Sequence, residues 1–405
     1  MTLDGVRTVV VVGGGPGGLM AAEVMATAGL KVTVVEHMPS VGRKFLLAGR
    51  GGLNLTHSEP IDQMLTRYGS QAARLEPALR AFDAAALRAW SAGLGEATFV
   101  GTSGRVFPRS LRATPLLRAW LRRLDELGVR VETGTRWLGW RDGALWFDRA
   151  GEQHTVATDV TLLALGGASW PRVGSDGGWV PVLRGAGVEV HDLRPSNCGV
   201  CVAYSDAFVL GHQGKPLKNV AVSVDGAGAR GDMVITTSGL EGGPVYALSA
   251  PIRRAVDRGG GVLLVDLQPD LSTAGLAERL GRRRPKDSLS STLRRTMGLR
   301  PAAVAWLREV MHTPLPSDTE KLAALLKAVP VRLEGVVSID RAISTAGGVS
   351  MDEVDEHFML RRMPGTFVVG EMLDWEAPTG GFLLQATFAT AVAAARGAIT
   401  YGAIP

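Results

Sequence analysis

The chain has 405 residues, 46% of them hydrophobic and 20% charged, with a formal net charge of +5 and a pI near 9.5. That length exceeds one small core and the mix is that of a folded enzyme, so two domains, or one with an insertion, are expected and a disordered chain is excluded. The 2 cysteines exclude a disulfide framework; with no apolar run near the roughly 20 residues of a membrane helix and no secretory leader, a cytoplasmic protein without a membrane partner is expected.

Val9-Val10-Val11-Val12, closed by glycine, reads as a strand buried on both faces, as a helix-covered parallel sheet requires. The turn Gly13-Gly14-Gly15-Pro16-Gly17-Gly18 opens a small-residue helix. Gly13 permits the tight bend, Gly15 lets a pyrophosphate approach the backbone, and Gly18 lets the helix pack on the strand. The helix N-terminus directs unpaired N–H groups and a positive dipole end at phosphate. Lys31–Glu36 reads as the second strand, ending in Glu36, a carboxylate for the two ribose hydroxyls of a dinucleotide. Pro16, Gly17 and His37 complete this first set of candidate cofactor residues.

The segment from Gly42 to His57 is rich in glycine and cations. It reads as a loop wrapped around a flat, charged ligand, and its length favours FAD over a bare nicotinamide dinucleotide. Gly42, Arg43, Lys44, Arg50, Gly51, Gly52 and Asn54 are its candidate contacts, with Lys44, Arg50 and His57 the candidate cations near the flavin, each read as a phosphate or surface contact before a proton donor. No catalytic acid emerges and no metal site is expected.

Residues 60–95 read as helical, interrupted at Pro77, and Leu111–Leu127 as an amphipathic helix burying Leu116, Leu117, Trp120, Leu121 and Leu124. Val129–Glu132, Trp137–Trp140, Ala144–Asp148 and His154–Ala157 read as a meander packed by Trp137, Trp140 and Trp146. Val160–Ala168 returns to the main sheet, its Gly166-Gly167 pair permitting close approach of backbone to ligand. A loop over 169–178 and a short helix through Val182, Leu183 and Ala186 follow.

From about 190 to 335 the pattern changes to short alternating strands, including Val220–Val224 and Met233–Thr237, and then helices over 272–328. Gly226-Ala227-Gly228-Ala229-Arg230-Gly231 fits GxGxxG but precedes a strand, so it reads as a hairpin turn. Cys198-Gly199-Val200-Cys201 lies in strand-like surroundings and reads as packing cysteines instead of a redox pair. The basic run Arg282–Lys286 reads as a solvated loop, and no nucleic-acid partner is expected.

Thr366–Glu371 reads as a buried strand ending in Gly370 and Glu371, both candidate cofactor contacts. Gly380, Gly381 and Phe382 start a long alanine-rich helix, with Thr379 as its candidate cap. Its N-terminus would favour the negative charge that develops on a reduced flavin.

Five stretches, GGGPGGLMAAE, GRKFLLAGRGGLNLTHSE, LALGGASWPRVGSDG, STAGGV and GEMLDWEAPTGGFLLQATFATA, resemble the BaiN/RdsA-like, or aminoacetone-oxidase-like, FAD-dependent oxidoreductases of bacteria. Many members carry GGRCN where this chain has Gly51-Gly52-Leu53-Asn54, so any role of that cysteine does not transfer. The resemblance implies an α/β fold: a discontinuous Rossmann-like FAD domain over 1–190 and 335–405, a parallel sheet with a β-meander, and an inserted β-barrel plus helical domain over 191–334. It places Gly13, Gly15, Gly18 and Glu36 on the adenosine diphosphate half, Arg43, Lys44 and Asn54 along the middle and flavin, and Gly166, Glu371, Gly380, Gly381 and Phe382 at the second strand and closing motif. It also implies flavin redox chemistry on a small molecule. NAD(P)H-driven reduction of an activated C=C is the favoured version, oxygen-linked oxidation of an aminoacetone-like amine the second, and a non-catalytic flavin sensor a third of another class.

Overall fold

A computed structural model describes residues 7–401 except Pro285, and of Arg50 the backbone alone. Two compact units result, one from residues up to Arg194 and from Ser344 onward, the other Pro195–Ile343. The chain leaves the first unit four residues later, and rejoins it nine residues later, than the boundaries 190 and 335 implied by the resemblance.

The first unit is built on five parallel strands in the order Thr366–Val368, Val160–Leu163, Thr8–Val12, Lys31–Glu36, Arg130–Thr133. Val9, Val11 and Val12 are almost fully buried, each contributing about 1.5 kcal/mol or more of apolar burial. From Thr8–Val12 the chain adds strands first on one side and then on the other, so the order reverses between Thr8–Val12 and Val160–Leu163. In such sheets the ligand crevice opens at the carboxyl ends of the strands flanking that switch.

Arg130–Thr133 pairs parallel with Lys31–Glu36 and therefore belongs to the main sheet, not to the meander. The meander itself is Thr135–Arg141, Ala144–Arg149 and Glu152–Val156. Trp137 is buried against Trp140, ring centroids 4.9 Å apart, and Arg141 caps the Trp146 face at 3.9 Å.

The cation-rich segment also departs from the loop expected of it. Arg43–Ala48 forms a short helix, Gly49–Gly51 a 3-10 turn and Thr56–His57 a strand. Arg, Lys, Leu and Ala are good helix formers, and Phe45 anchors the run: it is buried against Trp120 of helix Ala113–Glu126, centroids 6.4 Å apart.

The closing helix, Phe382–Thr400, is by length and composition able to cross a membrane, against the expectation that no run reaches that size; 67% of its apolar window is buried inside the fold. It packs on helix Pro16–Thr27 through small residues, and a Cβ on Gly17 would lie 3.3 Å from Thr387 Cγ2. Its N-cap is Gly381, in the left-handed region, and not Thr379.

The second unit holds a seven-strand antiparallel ladder from Val329–Arg332 to Gly335–Val336. Those two end strands are halves of one extended run. Its first half pairs with Val262–Asp266 and its second with Val200–Cys201, with Leu333 N bonded to Gly261 O and Glu334 N to Cys201 O, both at 2.9 Å. The ladder thereby returns on itself as a barrel, which removes its free edges. Pro216–Val224 and Ala227–Ile235 form the hairpin read from the GxGxxG decoy, turning at Asp225 and Gly226, both with positive φ. Helices Thr273–Gly281, Leu289–Met297, Pro301–Met311 and Thr319–Lys327 bury Leu276, Leu293, Trp306 and Leu322 in one core with the strands.

Candidate functional site

At the switch point Gly13 has φ +109, and a Cβ there would lie 2.3 Å from Ala164 O. A Cβ on Gly18 would lie 2.0 Å from Gly13 O, so helix and strand approach to a distance only glycine allows. Gly15 differs, since nothing lies within 4 Å of its Cβ position. Gly15 caps helix Pro16–Thr27 without any side-chain hydrogen bond, leaving the first N–H groups directed into open space.

Glu36 closes this end of the site. One carboxylate oxygen accepts the Gly14 N–H and the other the Met38 N–H, each at 2.8 Å, and His37 Nδ1 lies 3.1 Å from Glu36 Oε1. Burial alone would raise the Glu36 pKa, but the hydrogen bonds from His37, Met38 and Gly14 outweigh it and hold the carboxylate below its usual range.

Gly42 N donates to Gly14 O at 2.8 Å, which fastens the second motif to the first. Beyond it, Arg43 Nη1 reaches Ser40 Oγ at 3.2 Å while its Nε is buried without a protein partner, as is Asn54 Oδ1. Gly51 has nothing within 4 Å of a Cβ, and Gly52 takes φ +109 against Phe107. The Arg50 side chain lies outside the described residues. His57 is committed: Nδ1 accepts the Glu59 N–H at 3.2 Å, which leaves Nε2–H to donate to Ser103 O at 3.0 Å.

Lys44 is committed as well. Its ammonium donates to Ser169 Oγ at 2.7 Å and to Glu371 Oε2 at 2.6 Å. The other Glu371 oxygen accepts the Thr345 N–H at 2.9 Å, and Thr345 Oγ1 accepts the Ala168 N–H at 2.9 Å. A Cβ on Gly167 would sit 2.2 Å from Thr345 Oγ1, so Gly167 is required by this network. Gly166, at φ +71, accepts the Trp179 indole N–H at 2.9 Å. Gly370 accepts the Trp375 indole N–H at 2.8 Å and donates its own N–H to Thr390 Oγ1 at 3.1 Å. Gly380 and Gly381 both have positive φ, Gly381 pressed on the Thr56 backbone, and the Phe382 carbonyl accepts the Tyr68 hydroxyl at 2.8 Å.

Comparison with known proteins decides the family. The HI0933-like protein Rossmann domain matches residues 7–397, nearly the whole chain. The chain belongs to that family. It is 26% identical to the 3-dehydro-bile acid delta(4,6)-reductase of Clostridium scindens, over 96% of this chain and 98% of that protein. It is 24% identical to the ribosomal RNA dihydrouridine synthase of Escherichia coli, over 96% of each. Among solved structures, a flavocytochrome c3 fumarate reductase shares the fold with a TM-score of 0.53 at 13% identity, covering 98% of this chain and 78% of that one. The family is one of FAD-dependent oxidoreductases, and this chain is an enzyme of that class.

The residues present fit the cofactor of the HI0933-like family on the evidence of the fold itself. Space is kept open at Gly15 and Gly51, and Arg43 Nε, Asn54 Oδ1 and Ser175 Oγ are buried polar atoms lacking a protein partner. Such atoms cost about 1–3 kcal/mol each when left unpaired, and a polar ligand relieves that cost. The sequence reading missed Ser169, Ser175 and Thr345. The one available signal was indirect: the glycines beside them, Gly166 and Gly167, stand where larger residues would collide with or crowd Ser175 and Thr345.

Cys198 and Cys201 lie in the second unit. Both thiols are free, and burial raises the pKa of each. Cys198 Sγ lies 3.9 Å from Ser249 Oγ as a packing residue.

Proposed function

We propose that the protein is an NAD(P)H-driven reductase that uses FAD to add hydride to an activated C=C of a small organic substrate. The observation that carries this reading is the end-to-end similarity to a bile-acid reductase, on a fold whose glycine turn, Glu36 and unpaired polar atoms suit FAD. The second relative, named for making dihydrouridine, supports the same class, since its name too describes saturation of a carbon–carbon double bond.

When bound, FAD supplies two-electron hydride chemistry between a nicotinamide and an electron-poor carbon. In this reading Glu36 receives the ribose hydroxyls, and the N–H groups after Gly15 receive the pyrophosphate. Arg43 and Asn54 meet the flavin half with the atoms that have no protein partner. Lys44 and Glu371 hold the loops of the site in register. Lys44 is engaged by Ser169 and Glu371 and His57 by Glu59 and Ser103, so this reading assigns the proton that follows hydride to no side chain.

Anaerobic stopped-flow absorbance at about 450 nm tests the reading, with NADH, NADPH and aminoacetone mixed in turn against the purified flavoprotein. Rapid bleaching by a nicotinamide, with oxidation restored by an enone, is the expected result. Bleaching by the amine alone, reversed by air, would replace it with an amine oxidase. No bleaching by any donor would favour the flavin sensor.

A further inference from the structure

The helical part of the inserted unit carries a cationic surface that FAD chemistry does not use. From Arg279 to Arg295 the chain holds 7 cations against one carboxylate, Asp287. They are the run Arg282–Arg284 with Lys286, flanked by Arg279 on one helix and by Arg294 and Arg295 on the next, and all are exposed.

The described residues between those helices are bonded to one another and to the second helix. Arg283 Nε and Nη2 donate to Asp287 O at 3.2 and 3.1 Å, and the Asp287 N–H bonds back to Arg284 O at 2.9 Å. Arg295 crosses from helix Leu289–Met297 to Asp287 Oδ2 at 2.7 Å and to Arg282 O at 3.3 Å. Asp287 is thereby spent, and Glu278 is taken by Arg282 at 2.7 Å. Arg279, Arg284, Lys286 and Arg294 have no carboxylate partner among the described residues. Four cations therefore face solvent without a carboxylate, a local excess of positive charge that attracts polyanions.

We propose that this surface docks the phosphodiester backbone of a nucleic acid. Six of the 7 cations are arginine, whose planar fork matches phosphate oxygens in pairs. A membrane surface suits it less well, because among the described residues none of the exposed large apolar side chains falls between residues 265 and 342. The stretch 271–300 also lacks Phe, Tyr and Trp, so it offers no platform for stacking bases, and contact is to the backbone irrespective of sequence. RNA and DNA share this chemistry. The inference stands on charge and packing within the inserted unit and does not depend on the hydride-transfer reading.

The test is fluorescence anisotropy of the FAD-loaded full chain with a labelled hairpin RNA of about 30 nucleotides, the matching DNA, and vesicles containing phosphatidylglycerol, across about 50–200 mM salt. The expected result is nucleic-acid binding whose logarithm falls steeply with the logarithm of salt. The variant R279S/R284S/K286S/R294S removes only side chains that bond to none of the described residues. It should bind at least about tenfold more weakly with a shallower salt slope, its flavin absorbance and melting unchanged. The control R109S/R112S/R118S/R122S removes equal charge from exposed positions on the Rossmann unit and should bind as the parent does. Tighter binding of either RNA or DNA supports the surface and names the source. Equal loss in the control, binding of vesicles alone, or no binding at the lowest salt would overturn it.

Discussion

Lys44 Nζ lies 2.6 Å from Glu371 Oε2, an ion pair between residues 327 apart in sequence. With Ser169 and Thr345 it ties four separate segments at the carboxyl end of the sheet. Both side chains are under a third exposed, 26% and 17%, so removing one partner leaves the other short of compensation. Lys44→Met and Glu371→Gln should each cost about 1–3 kcal/mol of stability and weaken FAD retention. A double-mutant cycle read by thermal melting and flavin release should show coupling of at least about 0.5 kcal/mol. Strict additivity would remove the pair from this role.

The glycine turn separates packing from binding at neighbouring positions. In Gly18→Ala the new methyl meets Gly13 O at 2.0 Å, backbone against backbone, and the folded yield should collapse. Gly15→Ala meets nothing within 4 Å and sits at φ -79, which alanine adopts freely. That protein should melt as the apo parent does yet hold FAD at least about tenfold more weakly, because the methyl occupies the space kept for phosphate. Equal FAD affinity in Gly15→Ala would move the pyrophosphate elsewhere.

Glu36 predicts an acid limb. Its folded pKa is depressed, so its contribution is complete above the unfolded value of about 4.3 and is lost as pH falls through the lower folded value. Urea denaturation below about pH 5 should therefore show a steeper loss in the parent than in Glu36→Gln. Parallel curves would mean that the Gly14 and Met38 bonds do not survive in solution.

The two thiols are expected to be dispensable. With both pKa values raised by burial, thiolate is scarce at neutral pH. The double variant Cys198→Ser and Cys201→Ser should keep flavin reduction by its donor within about twofold. Loss of reduction with flavin still bound would restore the dithiol mechanism.

Legibility in the sequence followed locality. Val9–Val12, the glycines and Glu36 were readable because each requirement is met within one strand, one turn or one helix. The Arg43–Ala48 helix was not, since the glycines on either side obscure a short run of good helix formers that Phe45 anchors on Trp120. Val129–Glu132 reads as a meander strand because its short alternating pattern carries no sign of the parallel pairing of Arg130–Thr133. The roles of Thr345 and Ser169 arise from bonds to Ala168, Glu371 and Lys44 that no local pattern announces. The last helix is capped by Gly381 and not by the hydroxyl of Thr379 because the fold presses the Gly381 backbone on Thr56, a contact distant in sequence.

Gln385 is fully buried one turn into that helix, its Oε1 accepting from Thr56 Oγ1 and its Nε2 donating to Phe82 O, both at 2.6 Å. Gln385→Met fills similar volume but strands the Thr56 hydroxyl and the Phe82 carbonyl, and should cost about 1–3 kcal/mol. Gln385→Glu should cost more at pH 8, where a buried carboxylate would face the lone pairs of Phe82 O. Burial and that repulsion raise the folded pKa of the introduced acid above its unfolded value, so stability returns as pH falls and the protonated group can donate to Phe82 O again. Urea midpoints of both variants between about pH 5 and 8 should converge toward acid. A constant gap across that range would show that Phe82 O does not need the donor.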